Sequence, residues 1–426
     1  MRLKFDPFQF NTTHSNGIPV FWKDIPSVTG FVYIHIIVMA GARQDPIGKE
    51  GLAHFLEHTP HNGCKGFPTQ QRINTIRNEL FDGTLSASTA YEGTEFSCRC
   101  SNKTQSLIKS FRFLNSFIFR PTLHVDGINH ERKVIIREFW DNNSSSRDFE
   151  LKRAIQAFLY GEHPMARIDI LGSEESISRI DQRDLAQFHS EYYTRDNIKI
   201  VIVGDISAST IETVSQFTES VPHPVQPKEP IKLTQSKPRI NLFTVSLSKY
   251  FGLGKKSIPK NAIIRIYRAL PRQNNQEVIH LFTDTLHELF LKEIRGTIGA
   301  AYRPEIWTER FSDHTMLKAH MEVGKKTVTE VRNIITRTLE QIISRKQDYV
   351  NIFLETKRIA LQDKLFTDLS AESIAENAAN EISATNHVSS IAEDYAKIKK
   401  ISFEDIANLA QQELTPEKII WVIKTP

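Results

Sequence analysis

The chain has 426 residues, which is too long for one ordinary hydrophobic core and predicts two domains. Hydrophobic residues make up 40% of it and charged residues 24%, the balance of a soluble globular protein. Lysine and arginine exceed aspartate and glutamate by only 54 to 50, and this net charge of +4 argues against a nucleic-acid partner.

The first residues lack the features of a targeting segment, because residues 1–6 contain neither an apolar core nor an Arg- and Ser-rich presequence. The longest apolar stretch, Phe31–Ala42, is interrupted by His35. It is also shorter than the roughly 20 apolar residues that a membrane span needs. We therefore expect a cytoplasmic protein that has no membrane partner.

Hydrophobic periodicity predicts both strands and helices along the chain. β-Branched and aromatic residues cluster in the predicted strands, which are Val20–Trp22, Val32–Met39, Ser86–Arg99 and Ala262–Arg268. Apolar residues recur at helical spacing in the predicted helices, which are Gly51–His58, Thr69–Leu80, Leu107–Ile118, Gly127–Asp141 and Glu277–Arg295. Pro60 cannot continue the first helix, and Gly296 ends the last one.

A proline-rich segment lies almost at the midpoint of the chain. Four of the ten residues 221–230 are prolines, a density that no helix or central strand tolerates. The sequence therefore predicts an N-terminal domain at 1–220, a linker at 221–238 and a C-terminal domain at 239–426.

The ends of these two halves resemble each other. Ile180–Phe188 precedes the apolar strand Ile198–Val203, and 221 residues later Ile401–Leu409 precedes Ile419–Ile423. Each half thus closes with an amphipathic helix and a buried strand, which points to a duplicated domain. We predict an α+β fold of two homologous domains, each a largely antiparallel or mixed sheet with helices packed on one face.

The run His54-Phe55-Leu56-Glu57-His58 carries the strongest chemical signal. His54 and His58 lie one helical turn apart, so both imidazoles can face a single metal ion. This is the H-x-x-E-H arrangement, the reverse of the commoner H-E-x-x-H. Two imidazoles and a carboxylate suit Zn²⁺, and Glu57 could then act as the general base. Structural histidines beside a surface glutamate are the alternative.

A third ligand should come from another helix, and Glu131 and Glu138 are the candidates. They lie seven residues apart, about two turns along one face of their helix. One can bind the metal while the other orients the ligands. Without the histidine motif, both would be ordinary surface carboxylates.

These motifs resemble the pitrilysin-type inverted zinc peptidases, in particular their shorter two-domain members such as the mitochondrial processing peptidase subunits. The resemblance covers nearly the whole chain, and 80 residues separate His58 from Glu138, close to the gap usual in that family. It implies that Glu138 is the third zinc ligand and that Glu131 supports the ligands. The remaining matches are Gly41-Ala42-Arg43 with Gly51, His163-Pro164 with Gly172, and Tyr193 with Asn197, Gly204 and Asp205.

The resemblance also implies residues that hold the substrate. Arg295 at a helix end and Tyr302 seven residues later match a pair that reaches across from the second domain to bound peptide. Ser86 and Ala87 stand where the family usually has Asn-Ala on the strand that lines the cleft. Because serine is shorter than asparagine, we expect this departure to affect how the peptide is held.

From these features we expect a zinc-dependent endopeptidase with one Zn²⁺ per chain. Its two domains would close like a clamshell around an unstructured peptide, which adds a strand to an exposed sheet edge. The alternative is a non-catalytic or partner-dependent subunit. The resemblance further implies a homodimer or a heterodimer with a related chain, and no side-chain specificity can be read from the sequence.

Overall fold

The computed structural model describes residues 6–25, 27–224, 242–251, 260–272, 276–296, 304–366 and 370–426. Most of the predicted linker lies outside these residues, so the domain boundaries stay a prediction. Tyr302 also lies outside them. Among the described residues, no helix combines the length and the apolar character needed to cross a bilayer.

Each half of the chain contains one β-sheet. The strands of the first sheet are β1 (Asn11–Ser15), β2 (Ile18–Asp24), β3 (Phe31–Val38), β4 (Ser86–Thr89), β5 (Thr94–Ser101) and β6 (Ile198–Gly204). The strands of the second are β7 (Leu242–Ser246), β8 (Asn261–Pro271), β9 (Glu305–Arg310), β10 (His314–Gly324) and β11 (Ile420–Thr425).

The helices follow the same division. Those of the first half are α1 (Leu52–His58), α2 (Gln70–Phe81), α3 (Thr104–Phe119), α4 (Val125–Asn142), α5 (Ser146–Tyr160), α6 (Glu174–Arg179), α7 (Gln182–Tyr192) and α8 (Ala208–Glu219). Those of the second half are α9 (Leu247–Phe251), α10 (Gln276–Phe290), α11 (Val328–Ile343), α12 (Gln347–Phe366), α13 (Ala371–Thr385), α14 (Ile391–Lys400) and α15 (Phe403–Glu413).

The two sheets have the same topology. The strand order β2-β6-β3-β5-β4 in the first sheet recurs as β7-β11-β8-β10-β9 in the second, and β1 is an additional edge strand of the first. In each sheet the first two of these strands are parallel and the other pairs are antiparallel. The predicted α+β fold with two homologous domains is therefore confirmed.

The predicted strand Ser86–Arg99 was wrong in one respect, because a turn divides it into β4 and β5. The Ala90 N–H donates to the Gly93 carbonyl at 2.8 Å, which reverses the chain between the two strands. The alternation of apolar residues continues on both sides of this turn, so periodicity alone does not reveal it. The predicted helix Glu277–Arg295 also changes character after Phe290, where a π-helical turn spans Leu291–Gly296.

One face of each sheet packs against helices of its own half. In the first half, Ile34 and Ile36 of β3 share a buried core with Phe113 and Phe117 of α3. The second half has an equivalent core, in which residues of β8 pack against α10. These cores bury the apolar stripes that the sequence periodicity predicts.

The opposite face of each sheet is covered by a helix from the other half. The prediction of helices on one face did not include this second layer. Ile37, whose side chain points away from those of Ile34 and Ile36, packs with Ala375 of α13. In return, Leu151 of α5 packs against Tyr267 on the second sheet. This exchange of helices holds the two halves together in the clamshell arrangement.

Lys199 provides a test of this exchange. It is buried on β6 and its Nζ donates to the Ile382 carbonyl of α13 at 3.0 Å. Burial lowers the pKa of Lys199 to about 8, so the folded protein releases this proton at a lower pH than the unfolded chain. Stability rises with pH wherever the unfolded state binds more protons.

We therefore expect the unfolding free energy of the wild type to rise, relative to that of Lys199→Met, between about pH 8 and about pH 10. Urea unfolding of both proteins at several pH values measures this difference. The Ile382 carbonyl also accepts the Asn386 N–H at 3.0 Å, so the substitution does not leave it unsatisfied. If the unfolding free energies of the two proteins changed with pH in the same way, the role given to the burial of Lys199 would be contradicted.

Candidate metal centre

The short helix α1 begins at a carboxylate cap. Asp45 is buried, and its two oxygens accept the backbone N–H groups of Gly51 at 2.7 Å and Ala53 at 2.9 Å. A helix leaves its first N–H groups without partners, and the Asp45 side chain supplies acceptors here although burial raises its pKa to about 8. Behind this cap Phe55 and Leu56 are fully buried, which fixes the rotation of the helix about its axis.

Two glycines let another segment cross the start of α1. Gly51 has a φ of +93°, and a Cβ there would lie 2.8 Å from the Leu171 carbonyl oxygen. A Cβ on Gly172 would lie 2.1 Å from the carbonyl oxygen of Glu50. This close crossing therefore requires glycine at both positions.

His54, His58 and Glu138 converge at one point. The two Nε2 atoms are 3.2 Å apart, and Oε2 of Glu138 lies 3.7 Å from that of His54 and 3.6 Å from that of His58. A tetrahedral zinc ion with bonds of about 2.0–2.1 Å separates its ligand atoms by about 3.3 Å. The two nitrogens and one oxygen therefore fit zinc, with a fourth position left for water or substrate.

Glu131 fixes the orientation of His58. Nδ1 of His58 donates to Glu131 at 3.1 Å, and the amide of Asn62 donates to the other carboxylate oxygen at 2.7 Å. Burial would raise the pKa of Glu131, but these two hydrogen bonds outweigh it and lower the pKa. Glu131 thus stays ionised, and its hydrogen bond to Nδ1 leaves the lone pair of the neutral His58 imidazole on Nε2, toward His54 and Glu138.

His54 is suited to bind a metal because it stays neutral. Burial lowers the pKa of His54 to about 3, and repulsion between the protonated forms of His54 and His58 is the smaller cause. At neutral pH its imidazole therefore carries no charge and offers a lone pair.

Glu57 lies beside these three groups without being one of them. Its carboxylate accepts a hydrogen bond from the Thr89 hydroxyl of β4 at 2.9 Å. Burial raises the pKa of Glu57, which makes its carboxylate a stronger base than an exposed one. The residue is thus held between the three converging side chains and the strand β4.

β4 is an edge strand, paired only with β5. Ser86 is exposed on it and Ala87 is half-buried, so the backbone beside them is open to pairing. Arg295 of the second half is exposed in the π-helical turn, and no described contact joins it to the metal centre. Tyr302 is outside the described residues.

Sequence reasoning missed three supporting residues, Asp45, Asn62 and Thr89. Thr89 had a usable signal, because it shares a strand face with Ala87. Asn62 follows the histidine motif by four residues, but its contact with Glu131 depends on how α4 packs on α1. The cap made by Asp45 lies six and eight residues from its partners, beyond the usual N-cap spacing.

The chain is similar in sequence and fold to proteins described as peptidases. Residues 26–168 match the family model described as insulinase (peptidase family M16), and residues 179–351 match that of the peptidase M16 inactive domain. A probable zinc protease, PqqL of Haemophilus influenzae, is 28% identical over 56% of this chain and 26% of its own length. The chain thus matches about a quarter of that relative.

Other relatives match over their whole length. An uncharacterized zinc protease of Bacillus subtilis, YmxG, is 21% identical over 96% of this chain and 97% of its own. The crystal structure of a protease from Helicobacter pylori superposes with a TM-score of 0.80 at 18% identity, covering 99% of this chain and all of that one. At that identity the likeness concerns the fold.

Substitution of Glu131 tests how the ligands are oriented. Glu131→Gln should weaken zinc binding by about 10- to 100-fold, because the amide holds His58 less firmly in its ligating tautomer. Titration of zinc into the metal-free protein measures this affinity. Asp141→Asn, on the exposed surface of the same helix, is the control and should bind zinc like the wild type. Equal affinities for Glu131→Gln and the control would contradict the role of Glu131.

Proposed function

Because the chain belongs to the insulinase (M16) peptidase family, we propose that it is a zinc-dependent endopeptidase that hydrolyses unstructured peptides. One zinc ion per chain would be held by His54, His58 and Glu138. The observation that carries this proposal is the convergence of their three ligand atoms beside Glu57. The zinc proteases among the relatives support the choice of metal.

The chemistry follows from where Glu57 lies. When bound, zinc would lower the pKa of a water molecule toward about 7 and polarise the scissile carbonyl. Glu57 accepts the proton of the attacking water and later delivers it to the leaving amine. Its raised pKa suits both steps, and the hydrogen bond from Thr89 holds the carboxylate in place.

The peptide would lie along β4 as an added strand. Backbone pairing of this kind needs an open edge and gives affinity without strong side-chain selection. Ser86 and Ala87 would face it from the first half, and Arg295 and Tyr302 would hold it from the second. Arg295 can donate to peptide carbonyls, and Tyr302 can supply a phenolic hydrogen bond.

A partner-dependent subunit is the second candidate. It is favoured by the Haemophilus influenzae relative, of which this chain matches 26%. Two-domain chains of this kind would pair as homodimers or heterodimers to enclose a chamber. Peptide cleavage by the purified chain, measured together with its mass in solution, separates the two candidates.

Glu57→Gln tests the catalytic base. The variant should keep one zinc per chain but lose about 10²- to 10⁴-fold in peptidase activity, because the amide cannot accept the proton of the water. Metal analysis and digestion of an unstructured peptide library measure both properties. Full activity in this variant would rule out the mechanism.

Glu138→Gln and the double variant His54→Ala, His58→Ala test the metal site. Both should lose zinc and activity together, since the first replaces a charged carboxylate ligand by a neutral amide and the second removes both imidazoles. Asp141→Asn, in the same helix as Glu138, should keep both. An unchanged zinc content in the double histidine variant would place the metal elsewhere.

A further inference from the structure

Two hairpins, one from each half, meet tip to tip. The β4–β5 hairpin carries Glu92 at its turn, and the β9–β10 hairpin carries Ser312. Glu92 accepts hydrogen bonds from the backbone N–H of Ser312 at 2.8 Å and from its hydroxyl at 2.6 Å. The topological repeat makes these hairpins counterparts, so the contact joins equivalent parts of the two domains.

Asp313, next to Ser312, is an acceptor for three donors. Its Oδ1 lies 3.2 Å from Nη1 of Arg43 and 2.9 Å from Nδ1 of His314, and its Oδ2 lies 3.1 Å from Nε2 of His163. All three donor residues are buried, and Arg43 also forms an ion pair with Glu92. Arg43 and His163 belong to the first half, so a single carboxylate of the second half binds two of its side chains.

The positions of the protons around Asp313 indicate that its carboxylate accepts hydrogen bonds and does not bind a metal ion. Nδ1 of His163 accepts the backbone N–H of Met165 at 3.1 Å, so its proton is on Nε2, which donates to Asp313. The guanidinium of Arg43 occupies the same carboxylate and would repel a cation. His163, Asp313 and His314 lie close enough together to be taken for a metal site, but these contacts leave no lone pair of His163 free for an ion.

Arg43 connects this cluster to the start of α1. The backbone N–H groups of Ala42 and Arg43 donate to the carbonyls of Ala90 at 3.1 Å and Tyr91 at 2.8 Å. A Cβ on Gly41 would lie 2.2 Å from the Ala90 oxygen, so the segment can lie this close only with glycine there. The residues before α1 are thus fixed on the tip of the β4–β5 hairpin.

From that tip, two connections reach the metal centre. One runs two residues along the chain from Arg43 to Asp45, which caps α1 and so sets the position of His54 and Glu57. The other runs from the hairpin turn to Thr89 at the adjoining end of β4, which donates to Glu57. Both begin where Asp313 and Ser312 of the second half are bound.

We infer that Asp313 is a positioning residue for the metal centre. By fixing Arg43 and the β4–β5 tip, it holds α1 and β4 in the relative placement that puts Glu57 beside the three ligands. The second half thereby contributes to catalysis without touching zinc or substrate. The consequence for catalysis rests on the proposed function, whereas the mechanical link does not.

Hydrogen exchange of the full-length protein, read by mass spectrometry, tests the link directly. Asp313→Asn keeps the size of the side chain but replaces an acceptor oxygen by a donor amide facing buried donors. We expect faster exchange in residues 41–58, far from the substitution in sequence. Asp394→Asn is the matched control, since it weakens the partly buried ion pair of Asp394 with Lys364 inside the second half and should leave exchange at 41–58 unchanged.

Steady-state kinetics and zinc titration provide a second test of the role of Asp313. In Asp313→Asn, kcat should fall by about 100-fold, the effect of small displacements of catalytic groups, while KM changes less than about threefold. Zinc affinity should fall by about 10-fold, as for other residues that orient ligands. Asp313→Glu, which keeps the charge, should restore part of kcat.

Several outcomes would overturn the inference. Faster exchange confined to residues 305–324 would show that Asp313 stabilises only its own hairpin. A second zinc ion bound by the wild type and lost in Asp313→Asn would make the cluster a metal site. If Asp313→Asn does not fold, Glu92→Gln is the alternative variant, because it weakens the same contact between the hairpin tips from the first half. Unchanged hydrogen exchange at residues 41–58 in Glu92→Gln would contradict the inference.

The exchange measurement is also separate from the proposed function. A wild type that neither binds zinc nor cleaves peptide would refute the peptidase proposal. Exchange at 41–58 that still depends on Asp313 in that protein would support the link.

Discussion

The position of α1 is the constraint on which the metal centre depends, and it is imposed from outside the helix. Seven residues are too few for a stable isolated helix, so propensity does not hold it. Its capping carboxylate, its buried apolar residues and its contacts with α4 and β4 do so instead. The directions of His54, Glu57 and His58 are therefore set by packing, which suits groups that must hold a fixed geometry.

The duplication explains how both faces of each sheet are covered. Helices of the same half cover one face of each sheet, and the exchanged helices α5 and α13 cover the other. The hairpin tips meet in the same region of contact, so the two halves are joined by apolar packing and by a buried polar cluster. Buried polar clusters specify one arrangement because a displaced member would lose its partners.

The same architecture serves the two halves differently. In the first, the elements α1, α4 and β4 surround the converging ligands. In the second, α10, α12 and β9 line a cavity of about 740 Å³ whose described side chains include both acids and bases. Among the described residues, no group of three ligand atoms converges within the second half alone. The scaffold is thus repeated in the two halves, whereas the convergence of His54, His58 and Glu138 belongs to the first.

The sequence by itself determined the features that depend on short-range periodicity. Helical spacing alone places His54 and His58 on one face with Glu57 beside them, and the repeat at the ends of the halves predicts the duplicated α+β fold. The paired glutamates of α4 were also visible, although the residues alone did not say which one faces the histidines.

Only the tertiary structure decided that question, because it depends on the packing of α4 against α1. It places the carboxylate of Glu138 near Nε2 of both histidines and that of Glu131 near Nδ1 of His58. The turn after Thr89, the cap by Asp45 and the binding of Arg43 by Asp313 are decided in the same way. The last of these joins residues 270 positions apart, and no local pattern encodes a contact of that range.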